Sequence, residues 1–212
     1  YNGADNTWTQ LNPATSPPAR QEASMAFDPF SETIILFGGG SSGFLNDTWS
    51  YNGADNTWTQ LNPATSPPAR QEASMAFDPF SETIILFGGG SSGFLNDTWS
   101  YNGADNTWTQ LNPATSPPTR KGAPMAFDPF SETIILFGGI RNTMLRNDTW
   151  SYNGVENTWT QLNPTTSPAA RRNMPMIFDP PSGTMIIFGG YTSSAYTNQT
   201  WAFIVQAVPE II

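Results

Sequence analysis

Arginine recurs at one place in this chain: Arg20, Arg70, Arg120 and Arg171 each close a proline-rich stretch. A guanidinium offers five donors in a fixed fork, so four of them in a ring could collar an anion or polar ligand. The same fork also suits a neighbouring carboxylate or carbonyl at a buried edge, the commoner use of such an arginine. Aspartate recurs as well, at Asp28, Asp78, Asp128 and Asp179, each before a proline. Four carboxylates about a narrow axis could hold a hard cation through oxygen. Asp-Pro is first of all a turn opener, however, its carboxylate capping its own backbone. Glycine pairs at 38–39, 88–89, 138–139 and 189–190 resemble phosphate cradles only superficially, since no Lys-Ser/Thr and no helix follows them. Close backbone packing and positive φ explain them better.

Some chemistry is excluded outright. The chain has no histidine, the usual general base and metal ligand, and no cysteine, so disulfides and thiolate metal sites are absent. No cofactor is expected. Asn46-Asp47-Thr48 and its counterparts at 96, 147 and 198 match glycosylation acceptors. Their fixed place in every repeat argues instead for a structural turn into a strand. The eight tryptophans recur two per unit, as packing residues would, with sugar stacking as the functional alternative.

The elements that must position these groups are short strands. Only 12 % of the 212 residues are charged, while Gly (18), Pro (19) and aromatics (13 %) are plentiful. That mixture favours strands joined by many turns, and no helical periodicity interrupts it. No apolar run approaches the ~18 residues of a membrane span. The net charge of −9 comes without a basic stripe, which disfavours nucleic acid and anionic lipid as partners. Nothing in the sequence assigns a compartment.

Residues 1–50 and 51–100 are identical, a third copy departs at 119–124 and 140–146, and a fourth varies more. Each unit contains four strand patterns, such as Ser24–Phe27, Thr33–Phe37, Asp47–Tyr51 and Thr57–Leu61. The second is apolar on both faces, as in a sheet covered on both sides. Four short strands per unit at a period near 50 is the signature of a β-propeller blade.

An apolar strand ending in Gly-Gly, followed by Tyr, six residues and Trp, resembles the kelch-repeat family, bacterial arrays in particular. Tyr51/Trp58, Tyr101/Trp108 and Tyr152/Trp159 carry the resemblance. It implies an all-β propeller of four four-stranded antiparallel blades, at about 20–61, 70–111, 120–162 and 171–205 plus 6–11. The last unit lacks a fourth strand and the chain begins with an orphan one, Asn6–Leu11. Pairing these would close the ring, bury Trp8, leave Tyr1 surplus and loose, and make the protein a monomer; a two-chain ring of eight blades is the alternative. The apolar tail Val205–Ile212 is expected to pack against the domain. Because the chain opens at Tyr1 in register with the repeat, it reads as part of a longer repetitive array or as an engineered one.

The resemblance implies a non-catalytic module for binding or scaffolding. Some kelch propellers are copper-radical oxidases or sugar mutarotases, but the oxidase chemistry needs the missing Cys and His. Identical blades also disfavour the convergence of different groups that catalysis requires. A ligand-free structural array and a carbohydrate-active enzyme domain remain as alternatives. Binding is expected on the face carrying the loops between second and third strands, where the third and fourth units diverge. There they lose acid and gain Arg and Tyr, and loops on a rigid scaffold are where function usually sits. Arg120, Arg141, Arg171, Arg172, Tyr191 and Tyr196 are the expected contacts for an acidic protein or a carbohydrate.

Overall fold

Asp28 ends the first strand by accepting hydrogen bonds from the Phe30 amide (3.0 Å) and the Ser31 hydroxyl (2.8 Å). The chain turns back on itself there, and Asp78 and Asp128 repeat the device. In the computed structural model, which describes residues 1 and 3–204, the strands form four antiparallel blade sheets and one small two-stranded sheet. The first blade is β1 (Ser24–Asp28), β2 (Thr33–Phe37), β3 (Thr48–Asn52) and β4 (Thr57–Leu61). The second is β5 (Ser74–Asp78), β6 (Thr83–Phe87), β7 (Thr98–Asn102) and β8 (Thr107–Leu111). The third holds β9 (Met125–Asp128) and β10 (Thr133–Phe137), a small hairpin of β11 (Ile140–Arg141) and β12 (Met144–Leu145), then β13 (Thr149–Asn153) and β14 (Thr158–Leu162). The fourth is β15 (Met176–Asp179), β16 (Thr184–Phe188) and β17 (Thr200–Phe203). No helix occurs among the described residues, and the fold is the all-β, four-bladed propeller expected.

Strand alternation builds the core. In β6, Ile84 and Leu86 face the first blade and pack with its Ile35 and Phe37. Ile85 and Phe87, on the opposite face, pack with Ile134 and Leu136 of the third blade. A strand apolar on both faces is therefore one whose two faces serve two interblade cores. Trp108 completes the first of these: its ring lies 5.1 Å from Phe37 and its indole N–H donates to the Thr48 hydroxyl at 3.0 Å.

Successive blades are also stitched by backbone. The Gly39 amide donates to the Arg70 carbonyl (2.9 Å) and the Arg70 amide to the Leu45 carbonyl (3.0 Å). A Cβ on Gly38 would stand 2.7 Å from that Arg70 oxygen, and one on Gly39 2.7 Å from the Gln21 oxygen. With φ at +66° and +93°, only glycine fits both the conformation and the space.

The two ends differ from expectation. Residues 6–11 do not pair with the fourth blade: β17 pairs with β16 alone, so this sheet has three strands among the described residues. Trp8 is 85 % exposed. The reason is the turn between blades. β1 touches β5, β5 touches β9 and β9 touches β15, but β1 and β15 do not meet. Three such steps leave the first and fourth blades apart. Tyr1 is not loose either. Its hydroxyl donates to Asn6 (2.7 Å) and its ring lies 5.4 Å from Trp8, as Tyr51 does with Asn56 and Trp58. The tail Val205–Ile212 lies outside the described residues.

Candidate binding site on the loop face

The repeated arginines are internal. Arg70 places two nitrogens on the Asp97 carboxylate (2.6 and 2.7 Å), a third bond on the Gly88 carbonyl and a fourth on Pro68. Arg20 with Asp47 and Arg120 with Asp148 repeat the arrangement. Burial alone would raise the Asp97 carboxyl, but hydrogen bonds from Arg70, its charge and the Trp99 indole N–H hold it below the ordinary value. These are bidentate forks closing each blade. The glycosylation-like triplet is thereby explained, since its Asp holds the arginine and its Thr receives the next blade's tryptophan.

Two of the six expected contact residues are consumed in this way. Arg120 and Arg171 are fully buried, so they hold their blades and do not face solvent. Arg171 differs from its counterparts because Gln199 replaces the aspartate, donor to amide oxygen at 2.8 Å. Without a carboxylate, burial lowers its pKa.

The other four lie among the divergent loops. The Arg172 guanidinium sits 5.7 Å from the centre of the Tyr191 ring, and Tyr191 meets Tyr196 edge-on at 5.2 Å. Tyr196 is 84 % exposed. Arg172 Nε is buried with no hydrogen-bond partner. The divergent loop of the third unit forms the β11/β12 hairpin, which the sequence did not foretell; Arg141 is exposed upon it. Between this hairpin and the fourth blade runs a cleft lined by Thr143, Met144, Leu145, Ala169, Ala170 and Tyr191. Arg172, Tyr191 and Tyr196 thus form one cluster, with Arg141 on the hairpin beside the cleft.

Sequence reasoning missed the residues nearest the axis. Two positions past each arginine stand Glu22, Glu72, Gly122 and Asn173, joined in a chain: the Glu72 amide donates to Glu22 O, Gly122 to Glu72 O and Asn173 to Gly122 O, at 2.9–3.0 Å. Glu22, Glu72 and Asn173 hold φ between +53° and +58°, unusual for glutamate. Lys121 Nζ pairs with Glu72 at 2.5 Å. Burial, and then the Glu72 charge, raise the Glu22 carboxyl above its ordinary value, against Lys121 and Arg172. The available signal was the change from Gln-Glu to Lys-Gly and Arg-Asn across the four units. No cluster of acidic side chains suited to a metal occurs among the described residues, and the Asp28 series caps turns.

Comparison with curated proteins finds no match. The family model of the KLHDC2/KLHL20/DRC7 Kelch-repeats domain matches residues 1–177, most of the chain. With Gly-Gly stitching, Tyr/Trp pairing and the blade order all in place, the chain belongs to the kelch-repeat family.

Proposed function

We propose that this propeller is a non-catalytic binding module that takes an acidic protein segment on the loop face of its third and fourth blades. The observation that supports this most is the Arg172–Tyr191–Tyr196 cluster beside a cleft, with one tyrosine almost wholly in water. Exposed aromatic and arginine side chains are the groups that dominate protein interfaces. The cluster exists only in the fourth blade, whose loop is Tyr191–Tyr196 where the first two blades carry Gly40–Leu45 and Gly90–Leu95. Arg141 supplies a second cation on the neighbouring hairpin.

A panel of acidic peptides and of oligosaccharides, titrated against the protein, separates the partner classes. Binding to acidic peptides should fall at least tenfold in Tyr196→Ala and in Arg172→Ala. It should vanish when residues 140–146 are replaced by the first unit's Gly-Ser-Ser-Gly-Phe-Leu. Undiminished affinity in a folded loop-swapped protein would refute the site. Binding confined to the oligosaccharides would make the partner a carbohydrate. An absence of binding throughout would leave the structural array, a role that the identity of residues 1–50 and 51–100 favours.

A further inference from the structure

Between the third and fourth blades lies a mainly apolar cleft, lined by Phe137, Met185, Ile187, Trp201 and Phe203, with Thr149 among its polar groups. At the two earlier joints a tryptophan occupies this place. Trp108 packs on Phe37 and bonds Thr48; Trp159 packs on Phe87 at 4.9 Å and bonds Thr98 at 3.0 Å. Phe137 and Thr149 are the next members of those two series. The fourth blade offers no tryptophan there, because no strand is described beyond β17. The residue at that place in the repeat is Trp8, within a segment, 6–11, identical to 56–61.

The end blades carry matching open faces. On the first, Met25 (50 % exposed) and Phe27 face water and Trp58 is half-buried. The same face of the second blade buries Met75, Tyr101 and Trp108 against Ile35 and Phe37. On the fourth, Phe188 (52 % exposed) and Thr200 stand open, whereas their counterparts Phe37 and Thr48 are buried. The backbone stitching stops at the same two edges. The amides of Gly39, Gly89 and Gly139 bond the carbonyls of Arg70, Arg120 and Arg171; the Gly190 amide and the Arg20 carbonyl have no such partner among the described residues.

We propose that a second copy of this chain docks head to tail on the fourth blade, its residues 7–11 adding as the outer strand along β17. Its Trp8 enters the cleft onto Phe137 and Thr149, and its first blade covers Phe188 and Thr200. One placement satisfies both contacts, because residues 7–24 would run from strand to next blade as residues 57–74 do within the chain. The docking surface therefore continues an interface the molecule already makes twice. The second copy is favoured over the chain's own amino end because β1 and β15 do not meet. Such a contact is heterologous: it closes into a ring when the turn per chain divides a full circle, and otherwise grows. The smallest ring, of two chains, holds eight blades.

Light scattering of the full chain over a wide concentration range tests this. The expected particle is at least twice the 23.1 kDa chain. Trp8→Glu removes the donor and Phe188→Glu the acceptor, both at exposed side chains whose replacement spares the fold. Each variant alone should run as a single chain, and their mixture should form a two-chain particle and nothing larger. A 23.1 kDa particle at every concentration overturns the proposal. In that case, protection of residues 7–11 from hydrogen exchange identifies the chain's own segment as the occupant, and rapid exchange leaves the cleft empty. Assembly that survives both substitutions overturns it equally.

Discussion

Residues 24–61 and 74–111 are the same sequence in two settings. In the second blade Met75, Ile84, Tyr101 and Trp108 are buried; in the first, Met25 is exposed and Ile34, Tyr51 and Trp58 only half-buried. Nothing local differs, for the registers are the same and Tyr51 bonds Asn56 just as Tyr101 bonds Asn106. The difference is whether a preceding blade covers the face. Identical residues therefore contribute unequally, and the second blade draws from its neighbours what the first lacks. Tyr101 shows this chemically: burial, and then the Asp28 carboxylate of the first blade, push its pKa up to about 12.

The comparison is most sharply tested by paired tryptophan substitutions. Trp108→Ala should cost about 3–5 kcal/mol, because a buried ring and its bond to Thr48 are lost together. Trp58→Ala should cost roughly half of that in dilute protein. Chemical denaturation of both variants measures the gap, and equal losses would break the comparison. If chains associate head to tail, the Trp58 cost should climb towards the Trp108 value as protein concentration rises.

The ion pairs give a smaller contrast. Asp97→Asn strands a fully buried Arg70 and should cost about 3 kcal/mol; Asp47→Asn should cost less, since Arg20 is not wholly enclosed. Asp97 is held below the ordinary aspartate value of 3.8, so the stability it contributes is complete above that pH. It is lost as pH falls through the lowered value. Melting curves of wild type and Asp97→Asn should therefore converge in acid and stay apart at neutral pH. Curves that remain equally separated at low pH would show that the carboxylate acts through shape alone.

The smallest expected effect restores symmetry. Gln199→Asp would give Arg171 the carboxylate that its three counterparts have, and should add about 1 kcal/mol near neutral pH. That gain should begin to fade as pH drops below 3.8, the aspartate reference value, and be lost as pH falls further. A neutral or destabilising result at pH 7 would indicate that the fourth blade cannot hold the fork in place.

The strands, the glycine pairs, the turn-capping aspartates and the family resemblance were all legible in the sequence. Each depends on neighbours within one unit, and four copies repeat the evidence. The roles of Arg20, Arg70 and Arg120 were legible as alternatives; distances to Asp47, Asp97 and Asp148 decided for the internal fork. Ring closure was not legible. It depends on the angle between successive blades, which many side-chain contacts set jointly and no motif encodes. The same holds for the loop face. Arg172, Tyr191 and Tyr196 could be picked out as departures from the repeat, but their stacking depends on how one loop folds over another. Arg120 and Arg171 were placed with them only because burial is a property of the folded chain. Contacts within one repeat are enough to make a blade; packing between blades sets how far four of them turn, and which faces that leaves in water.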